Sequence, residues 1–402
     1  MAILMTSCAK TGKIEYPAAP SDSTSYEVFG MTVADPYRPL ENDTAAATLA
    51  WVEAENKVTQ DYLAQIPFRE NLRKRLSTLN RYKKEGLPSL ENDGKYYFFA
   101  NDGSKNQSIL YRMDSIGAEP EVFIDPNELS DDGTVALTGV YQSHDGRHTA
   151  YTISRSGSDW TEIYVLDTAT GKLLPDHIEW AKFTGAAWHG DGFYYSAYQR
   201  PEAGKEYSVA NEYHKVYYHK LGTPQSEDKV VFENPEQPLY FHSADESTMW
   251  VTASGQGHGN TLAFKSLDKP GKWTSLADSQ DYTAAPIGVV DGKMYMFTSI
   301  NAPRNRLVCI DLAKPGRENW VDVVPEDAEG GVLTNVLFSG KDKLIAVFDR
   351  DASNHAYIFP LEGGKAIREV EFPTYGTSSF SAGRSTDRVF YSFSSFVYPS
   401  AI

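Results

Sequence analysis

A tight turn followed by an aromatic strand recurs seven times along this chain, and this repeat constrains the fold more than any other feature. Each copy has Asp, Gly or Ser in the turn and then four or five mainly apolar and aromatic residues. The turns are 91–95, 143–147, 189–192, 243–247, 290–293, 339–343 and 384–388. They recur about every 49 residues, which is the size of a four-stranded propeller blade.

A second strand-like segment follows each of the first six copies. These segments are 107–114, 161–167, 215–221, 260–267, 306–312 and 354–361. Their alternating character is typical of a half-buried strand, and their position fits the third strand of a blade. A seventh copy begins at Tyr398, near the end of the sequence at Ile402. Because an incomplete blade leaves open strand edges, we interpret the C-terminus as a truncation.

The sequence therefore predicts an all-β fold, a seven-bladed β-propeller over residues 86–402 whose last blade is incomplete. The alternative is another β-protein such as a sandwich, but seven copies in one register favour the propeller. This repeat indicates architecture rather than function, because propellers carry many functions.

A short N-terminal helical arm is predicted over residues 15–85. Apolar residues spaced by three and four indicate two helices separated at Pro67. The first stripe comprises Leu49, Val52, Val58, Tyr62 and Leu63, and the second comprises Leu72, Leu76 and Leu79. Asp43 or Thr44 is the expected N-cap of the first helix.

Composition and histidine spacing argue against several function classes. The formal net charge is −16 at pH 7, which disfavours nucleic acid as a partner. His144 and His148 flank a turn, and His214 and His219 belong to opposite faces of a strand, so neither pair has the spacing of zinc ligands. We expect no metal and no cofactor.

The first 14 residues are predicted to be the remnant of a lipoprotein signal followed by a tether. A short apolar run closed by Ser7 and Cys8 resembles the end of a bacterial lipoprotein signal, in which the cysteine is lipidated. The run is shorter than an ordinary signal and lacks a basic start, so the true translation start stays open. The prediction is lipidation at Cys8 and a periplasmic or membrane-anchored protein, with a cytoplasmic protein as the alternative.

Two motifs near the N-terminus resemble the opening of the prolyl oligopeptidase family of serine peptidases. They are Asp-Pro-Tyr-Arg-Pro-Leu-Glu-Asn at 35–42 and Ala-Trp-Val-Glu-Ala-Glu-Asn-Lys at 50–57. Further segments similar to that family follow in the same order. They are Tyr16-Pro17, 125–137, Ser-Gly-Ser-Asp-Trp at 156–160, and 221–229.

The resemblance implies a two-domain serine endopeptidase that cleaves short peptides after proline. In that family the catalytic Ser, Asp and His lie on an α/β-hydrolase domain that follows the propeller. No Gly-x-Ser-x-Gly motif occurs in residues 1–402. We therefore expect the hydrolase domain to be absent from this chain, no catalytic residue within it, and no peptidase activity by the chain alone.

The resemblance also implies partners and a role for the propeller. In that family the helical arm packs on the hydrolase domain. The propeller covers the active site so that only short proline-containing peptides enter, and their entry requires motion of a domain or a blade. The alternative is a stand-alone, non-catalytic propeller that binds peptides or proteins. A serine elbow in the downstream reading frame would distinguish the two.

Two aromatic residues are carried over from the family as substrate-binding candidates. Phe183, in Lys182-Phe183-Thr184, aligns with a segment that places an aromatic side chain near the proline-side cleft, and its alternative is an ordinary core residue. Phe241 is a second candidate. The family's prolyl members often carry Arg where this sequence has Ala253. At this position the sequence departs from the substrate contacts that the resemblance implies.

Overall fold

The chain divides into two units, Met1–Arg81 with Arg200–Ala210 and Tyr82–Gln199 with Asn211–Ile402. The structure is a computed structural model. It describes residues 13–202, 210–236, 239–245, 247–255, 257–269 and 271–402.

The first unit contains the two predicted helices and a small hairpin. Its strands are β1 (Ser25–Val28) and β2 (Met31–Ala34), a 3-10 helix spans Arg38–Glu41, and the helices are α1 (Ala46–Ala64) and α2 (Arg69–Asn80). Within the described ranges, neither helix is long and apolar enough to cross a membrane.

The expected cap of α1 is wrong. The helix is preceded by Ala45, which has no side chain able to accept a hydrogen bond. Thr44 turns the other way, because its N–H and its hydroxyl both donate to Oδ1 of Asn42, at 3.2 and 2.9 Å. This local turn takes the hydroxyl away from the helix N-terminus.

The apolar stripes of both helices remain accessible to solvent. Leu49 and Tyr62 of α1 and Leu72, Leu76 and Leu79 of α2 are each about half exposed. Helices of 19 and 12 residues with so little buried surface need a partner to be stable.

The second unit consists of six antiparallel sheets, counted over the described residues, which form seven blades in chain order because blades 2 and 3 share one eight-stranded sheet. Blade 1 contains β3 (Lys84–Glu85), β4 (Ser89–Leu90), β5 (Tyr96–Asn101), β6 (Ile109–Met113) and β7 (Glu121–Ile124). Blade 2 contains β8 (Val135–Gln142), β9 (His148–Arg155), β10 (Trp160–Asp167) and β11 (Leu173–Lys182). Blade 3 contains β12 (Ala187–His189), β13 (Gly192–Ala197), β14 (Lys215–Lys220) and β15 (Lys229–Glu233).

The remaining blades follow the same four-strand order until the last. Blade 4 contains β16 (Leu239–Ala244), β17 (Thr248–Ser254), β18 (Thr261–Ser266) and β19 (Thr274–Ala277). Blade 5 contains β20 (Ala284–Val290), β21 (Lys293–Thr298), β22 (Arg306–Asp311) and β23 (Val321–Val324). Blade 6 contains β24 (Val332–Ser339), β25 (Lys343–Arg350), β26 (Ser353–Pro360) and β27 (Arg368–Val370), and blade 7 contains β28 (Thr377–Gly383) and β29 (Thr386–Ser394). Short 3-10 helices span Pro126–Glu128, Gln225–Glu227 and Arg317–Asn319.

The predicted seven-bladed propeller with an incomplete last blade is confirmed. In blades 2 to 7 the predicted turn joins the first and second strands, and in blades 2 to 6 the second segment is the third strand. In blade 1 the first strand is divided into β3 and β4, so the turn joins β4 to β5 and the second segment is β6. In the turn of blade 2, Asp145 Oδ1 accepts hydrogen bonds from the Ser143 hydroxyl and the Arg147 N–H, at 2.7 and 3.1 Å. This explains why Asp recurs in these turns. Blade 7 has two strands, and an isolated bridge pairs Phe393 with Ala401.

The core consists of hydrophobic clusters between neighbouring blades. Six clusters occupy the six junctions from blades 1–2 to blades 6–7. Among the described residues, the junction between blades 7 and 1 has no such cluster. It has one hydrogen bond from Ser381 Oγ to the Pro88 carbonyl, at 2.7 Å, and an edge contact between the rings of Tyr96 and Phe390.

The blade topology also determines which connections share a face. Neighbouring strands of an antiparallel blade run in opposite directions. One side of the sheet therefore holds the ends of strands two and four, the start of strand three and the start of the next blade. We call this side of the propeller the connection face. It carries Trp160 and Phe183 of the blade 2 connections and Tyr198 and His214 of blade 3.

Candidate functional site

Phe183 lies at the end of β11 on the connection face, and the local backbone turns it outward. A bulge gives β11 one extra residue where Thr161 and Ile163 of β10 face Ala181 and Ile178. Trp180 and Phe183 both have positive φ, 58° and 52°. The Phe183 side chain is 40% exposed, so the alternative that it is an ordinary core residue does not describe its surroundings.

Lys182 lies directly beneath this aromatic surface. Its ammonium nitrogen is 4.9 Å from the centre of the Trp160 ring and 5.3 Å from that of the Phe183 ring. The Lys182 residue is only 8% exposed. The Asp159 carboxylate lies 3.7 Å from the ammonium and partly balances its charge. Both rings therefore attract the same buried cation.

Blade 3 holds the other side of Phe183. The Tyr198 ring meets Phe183 edge-on with 6.4 Å between centroids, and it lies 4.3 Å from the His214 ring. His214 Nε2 donates a hydrogen bond to the Lys182 carbonyl at 3.1 Å. Burial lowers the pKa of His214 to about 4, so this histidine is neutral near pH 7. The Trp180 ring meets the Trp160 ring edge-on, with 5.5 Å between centroids. We call Trp160, Trp180, Lys182, Phe183 and Tyr198 the Phe183 cluster.

The connection that follows Phe183 is held closely. The Ser196 N–H donates to the Thr184 hydroxyl at 2.7 Å. At Gly185 a Cβ atom would lie 2.7 Å from the Tyr141 ring, so no side chain fits there without movement. Pairing of Ala181 with Ala197 also joins blades 2 and 3 at this point. These contacts fix the path of the backbone that presents Phe183.

The Phe183 cluster can bind but has no means of covalent catalysis. A part-exposed phenyl ring surrounded by other aromatic rings offers a face or an edge to a proline ring or another apolar side chain. A covalent mechanism would need a nucleophile that is accessible and next to a base.

One serine does lie beside a histidine, which sequence reasoning did not find. Ser196 Oγ is 2.8 Å from His242 Nδ1, and His242 Nε2 donates to the Tyr194 carbonyl at 3.0 Å. However, Ser196 is 0% exposed, and burial lowers the pKa of His242 to about 4. The serine is inaccessible and its partner is a weak base, so this pair fits a structural link between blades 3 and 4.

Three further positions singled out in the sequence are Phe241, Ala253 and Cys8. Phe241 occupies a position in β16 opposite Thr252, and its side chain lies outside the described part of the structure. Ala253 is buried in β17 and lines a cavity of about 220 Å³. Cys8 lies outside the described residues. Over the residues that are described, no group of three His, Cys, Asp or Glu side chains could hold a metal ion.

Sequence reasoning missed Trp160, Trp180, Lys182 and Tyr198 as companions of Phe183. The sequence contains two separate motifs, one ending at Trp160 and one beginning at Lys182. In the structure Trp160 and Lys182 are register partners on β10 and β11. Pairing the third and fourth strands of the predicted blade would have brought these two motifs together.

These observations define a class: a seven-bladed propeller with a partly exposed aromatic surface on its connection face. The family model described as "Prolyl oligopeptidase, N-terminal beta-propeller domain" matches residues 16–402. The chain belongs to the prolyl oligopeptidase family and contains its N-terminal propeller portion.

Similar proteins agree with this assignment. A prolyl endopeptidase of Elizabethkingia meningoseptica is 36% identical over 408 residues, covering 100% of this chain and 57% of the relative. A prolyl endopeptidase of Dictyostelium discoideum is 28% identical over 96% of this chain and 60% of its own length. The chain thus spans little more than half of these relatives.

Solved structures show the same relationship. One from a study of two prolyl endopeptidases has a TM-score of 0.71 at 32% identity, covering 96% of this chain and 56% of the other. Prolyl oligopeptidase B from Galerina marginata, bound to a 35-residue hydrolysis and macrocyclization substrate, has a TM-score of 0.80 at 25% identity. The match covers 96% of this chain and 57% of that protein.

Proposed function

We propose that this chain is the substrate-gating propeller portion of a serine endopeptidase that cleaves short peptides after proline. The observation that carries the proposal is the Phe183 cluster, because it presents an exposed, backbone-strained aromatic ring on one face of a propeller of this family. Relatives named prolyl endopeptidases supply the reaction class. Catalysis belongs to a hydrolase domain outside residues 1–402, and the chain alone turns over no peptide.

The Phe183 ring would contact the peptide on the proline side of the cleaved bond. Proline has a rigid, apolar ring that loses little conformational entropy on binding, so one aromatic face suffices to select it. We expect short peptides rather than folded proteins as substrates, because the resemblance implies a propeller that covers the active site of the hydrolase domain.

In the 402-residue chain, whose blade 7 has two strands, the junction between blades 7 and 1 is where we expect the ring to open. Six junctions are filled by hydrophobic clusters, whereas blades 7 and 1 meet through one hydrogen bond and one ring contact among the described residues. Opening at this junction exposes the least apolar surface and is therefore the least costly way to widen the ring.

The test of the substrate site is Phe183→Ala in the 402-residue chain. Loss of the ring should weaken binding of a short peptide with a central Gly-Pro pair about threefold to tenfold, by isothermal titration calorimetry. The matched control is Phe99→Ala, since Phe99 is exposed to a similar extent, 42% against 40%, but lies on β5 of blade 1. Equal affinities for the unmodified chain and Phe183→Ala would contradict the assignment.

The location of the protein is a separate proposal. We place it in the bacterial envelope, attached through acyl chains at Cys8, because the start of the sequence resembles a lipoprotein signal. Two acyl chains would hold the acidic protein at an anionic membrane without electrostatic help. Mass spectrometry of the membrane fraction should find a lipidated Cys8, and a cytoplasmic protein with an unmodified Cys8 would refute the proposal.

A further inference from the structure

We propose that Lys182 is a positioning residue that sets the specificity of the Phe183 subsite. This inference rests on the proposed function of Phe183 in peptide binding. Lys182 does not touch the substrate: its ammonium group attracts both the Phe183 ring and the Trp160 ring and thereby fixes the surface that an incoming proline meets.

The geometry of the cation supports this role. An ammonium group at 4.9 Å from one ring centre and 5.3 Å from another lies within the range of cation–π attraction to both. Trp160 is anchored opposite Lys182 in the pairing of β10 with β11. The cation therefore links Phe183, which follows the strand, to a ring that the sheet already holds in place.

The backbone explains why such a link is needed. Phe183 has φ of 52°, a conformation that is strained for a bulky residue and is kept only where its surroundings impose it. His214 holds the Lys182 carbonyl from blade 3, and Tyr198 packs against the edge of the Phe183 ring. Lys182 thus contributes both its carbonyl and its ammonium group to keeping Phe183 in place.

Burial of Lys182 argues against a direct substrate contact. The side chain is 11% exposed, while the Asp159 carboxylate beside it is 68% exposed. A peptide that reaches Phe183 meets the phenyl ring, whereas the ammonium group lies beneath it. Lys182 is therefore expected to determine how well the Phe183 ring is ordered. It should affect the affinity for the peptide only through that ordering.

The experiment measures affinity of the 402-residue chain for the Gly-Pro peptide in a double-mutant cycle of Lys182→Met and Phe183→Ala. Methionine keeps the length and apolar stem of lysine and removes only the charge. Lys182→Met should weaken binding about twofold to fivefold, and Lys182→Arg should restore it because a guanidinium also binds aromatic faces. In the Phe183→Ala background, Lys182→Met should have no further effect.

A matched control exists in blade 4. Lys265 lies 5.0 Å from the Trp273 ring, so Lys265→Met removes the same kind of contact away from the site. It should leave affinity unchanged. Thermal midpoints within about 2 °C for all variants would exclude global destabilisation as the cause.

The outcomes separate this inference from the proposed function. If Phe183→Ala weakens binding but Lys182→Met does not, the positioning role is overturned and the peptide site stands. An additive effect of Lys182→Met in the Phe183→Ala background also overturns it, because Lys182 would then contact the peptide directly. If the unmodified chain does not bind, or Phe183→Ala binds as well as it does, the peptide site itself fails and the positioning role fails with it.

Discussion

Among individual residues, buried titratable groups link blades 2 and 3 at the ends of β11 and β14 that lie away from the Phe183 cluster. His219 on β14 lies between Asp228 and Asp176, with Nδ1 2.8 Å and Nε2 3.1 Å from their carboxylate oxygens. The Tyr195 hydroxyl donates to the second oxygen of Asp228 at 2.8 Å, and the Gly222 N–H donates to Asp176 at 2.6 Å. All of these polar atoms are paired, as a buried ionic group requires.

This network predicts a loss of stability on the alkaline side. Burial by itself would lower the pKa of His219, but the hydrogen bonds and charges of Asp228 and Asp176 outweigh it and raise the pKa. Below the unfolded-state pKa of about 6.5 both states are protonated and the ion pairs contribute fully. As pH rises through the higher folded-state pKa, the imidazolium is neutralised and that contribution is lost.

The measurement is the free energy of unfolding, determined by urea denaturation at several pH values from about 6 to about 9. The unmodified chain should lose stability across this range more steeply than His219→Gln, which has no charge to lose. His258→Gln is the control, since His258 is exposed, and it should follow the unmodified chain. Parallel pH profiles for the unmodified chain and His219→Gln would contradict the ion-pair account.

At the scale of elements, the turn between β8 and β9 supports its neighbouring blade as well as its own. Gly146 has φ of 70°, and a Cβ atom there would lie 2.7 Å from the Asp93 backbone in the corresponding turn of blade 1. Gly171, in the turn between β10 and β11, has φ of 68° and nothing within 4 Å. The two glycines share a backbone conformation and differ in their surroundings.

Alanine substitutions at these two glycines separate strain from contact. Gly171→Ala should cost about 1 kcal/mol of unfolding free energy, from the left-handed conformation alone. Gly146→Ala should cost about 1–3 kcal/mol more, because the turns of blades 1 and 2 must also move apart. Urea denaturation of both variants checks this, and equal costs would mean that the two turns are not tightly packed.

The same elements show what could be predicted from the sequence and what could not. Turns such as 143–147 and the strands on either side were predictable because Asp, Gly and alternating residues act locally. The bulge in β11 that accompanies the positive φ of Trp180 and Phe183 was not, because it depends on how β11 meets both β10 and blade 3. The exposure of Leu72 and Leu76 could not be predicted from their spacing alone, since a pattern shows that a face is apolar and not what covers it.

At the scale of the whole propeller, the ring has one junction that differs from the others. Between blades 7 and 1, Ser381 and Pro88 share a hydrogen bond, and the rings of Tyr96 and Phe390 meet at 6.0 Å. The junction of blades 5 and 6 instead contains a cluster that includes the fully buried Leu307. Local opening should therefore begin at β28 and β4.

Native-state amide hydrogen exchange measures this opening strand by strand. The amides of β28 and β29 should exchange with a lower opening free energy than those of β24 and β25, which pack on both sides. Ser381→Ala should speed exchange in β28 and leave β21 unchanged. Uniform protection across all seven blades would remove the structural basis for gating at this junction.

If this chain is the propeller portion of a proline-specific peptidase, the complete protein should have a peptidase activity that the 402-residue chain lacks. The complete product of the reading frame that contains residues 1–402 is assayed beside the 402-residue chain, with a fluorogenic peptide cleaved after proline and a matched peptide with alanine in that position. We expect the complete product to cleave the proline peptide in preference to the alanine peptide. The 402-residue chain should cleave neither peptide, because Ser196, which lies beside His242, is buried. Turnover by the 402-residue chain, or no preference for proline in the complete product, would contradict the account.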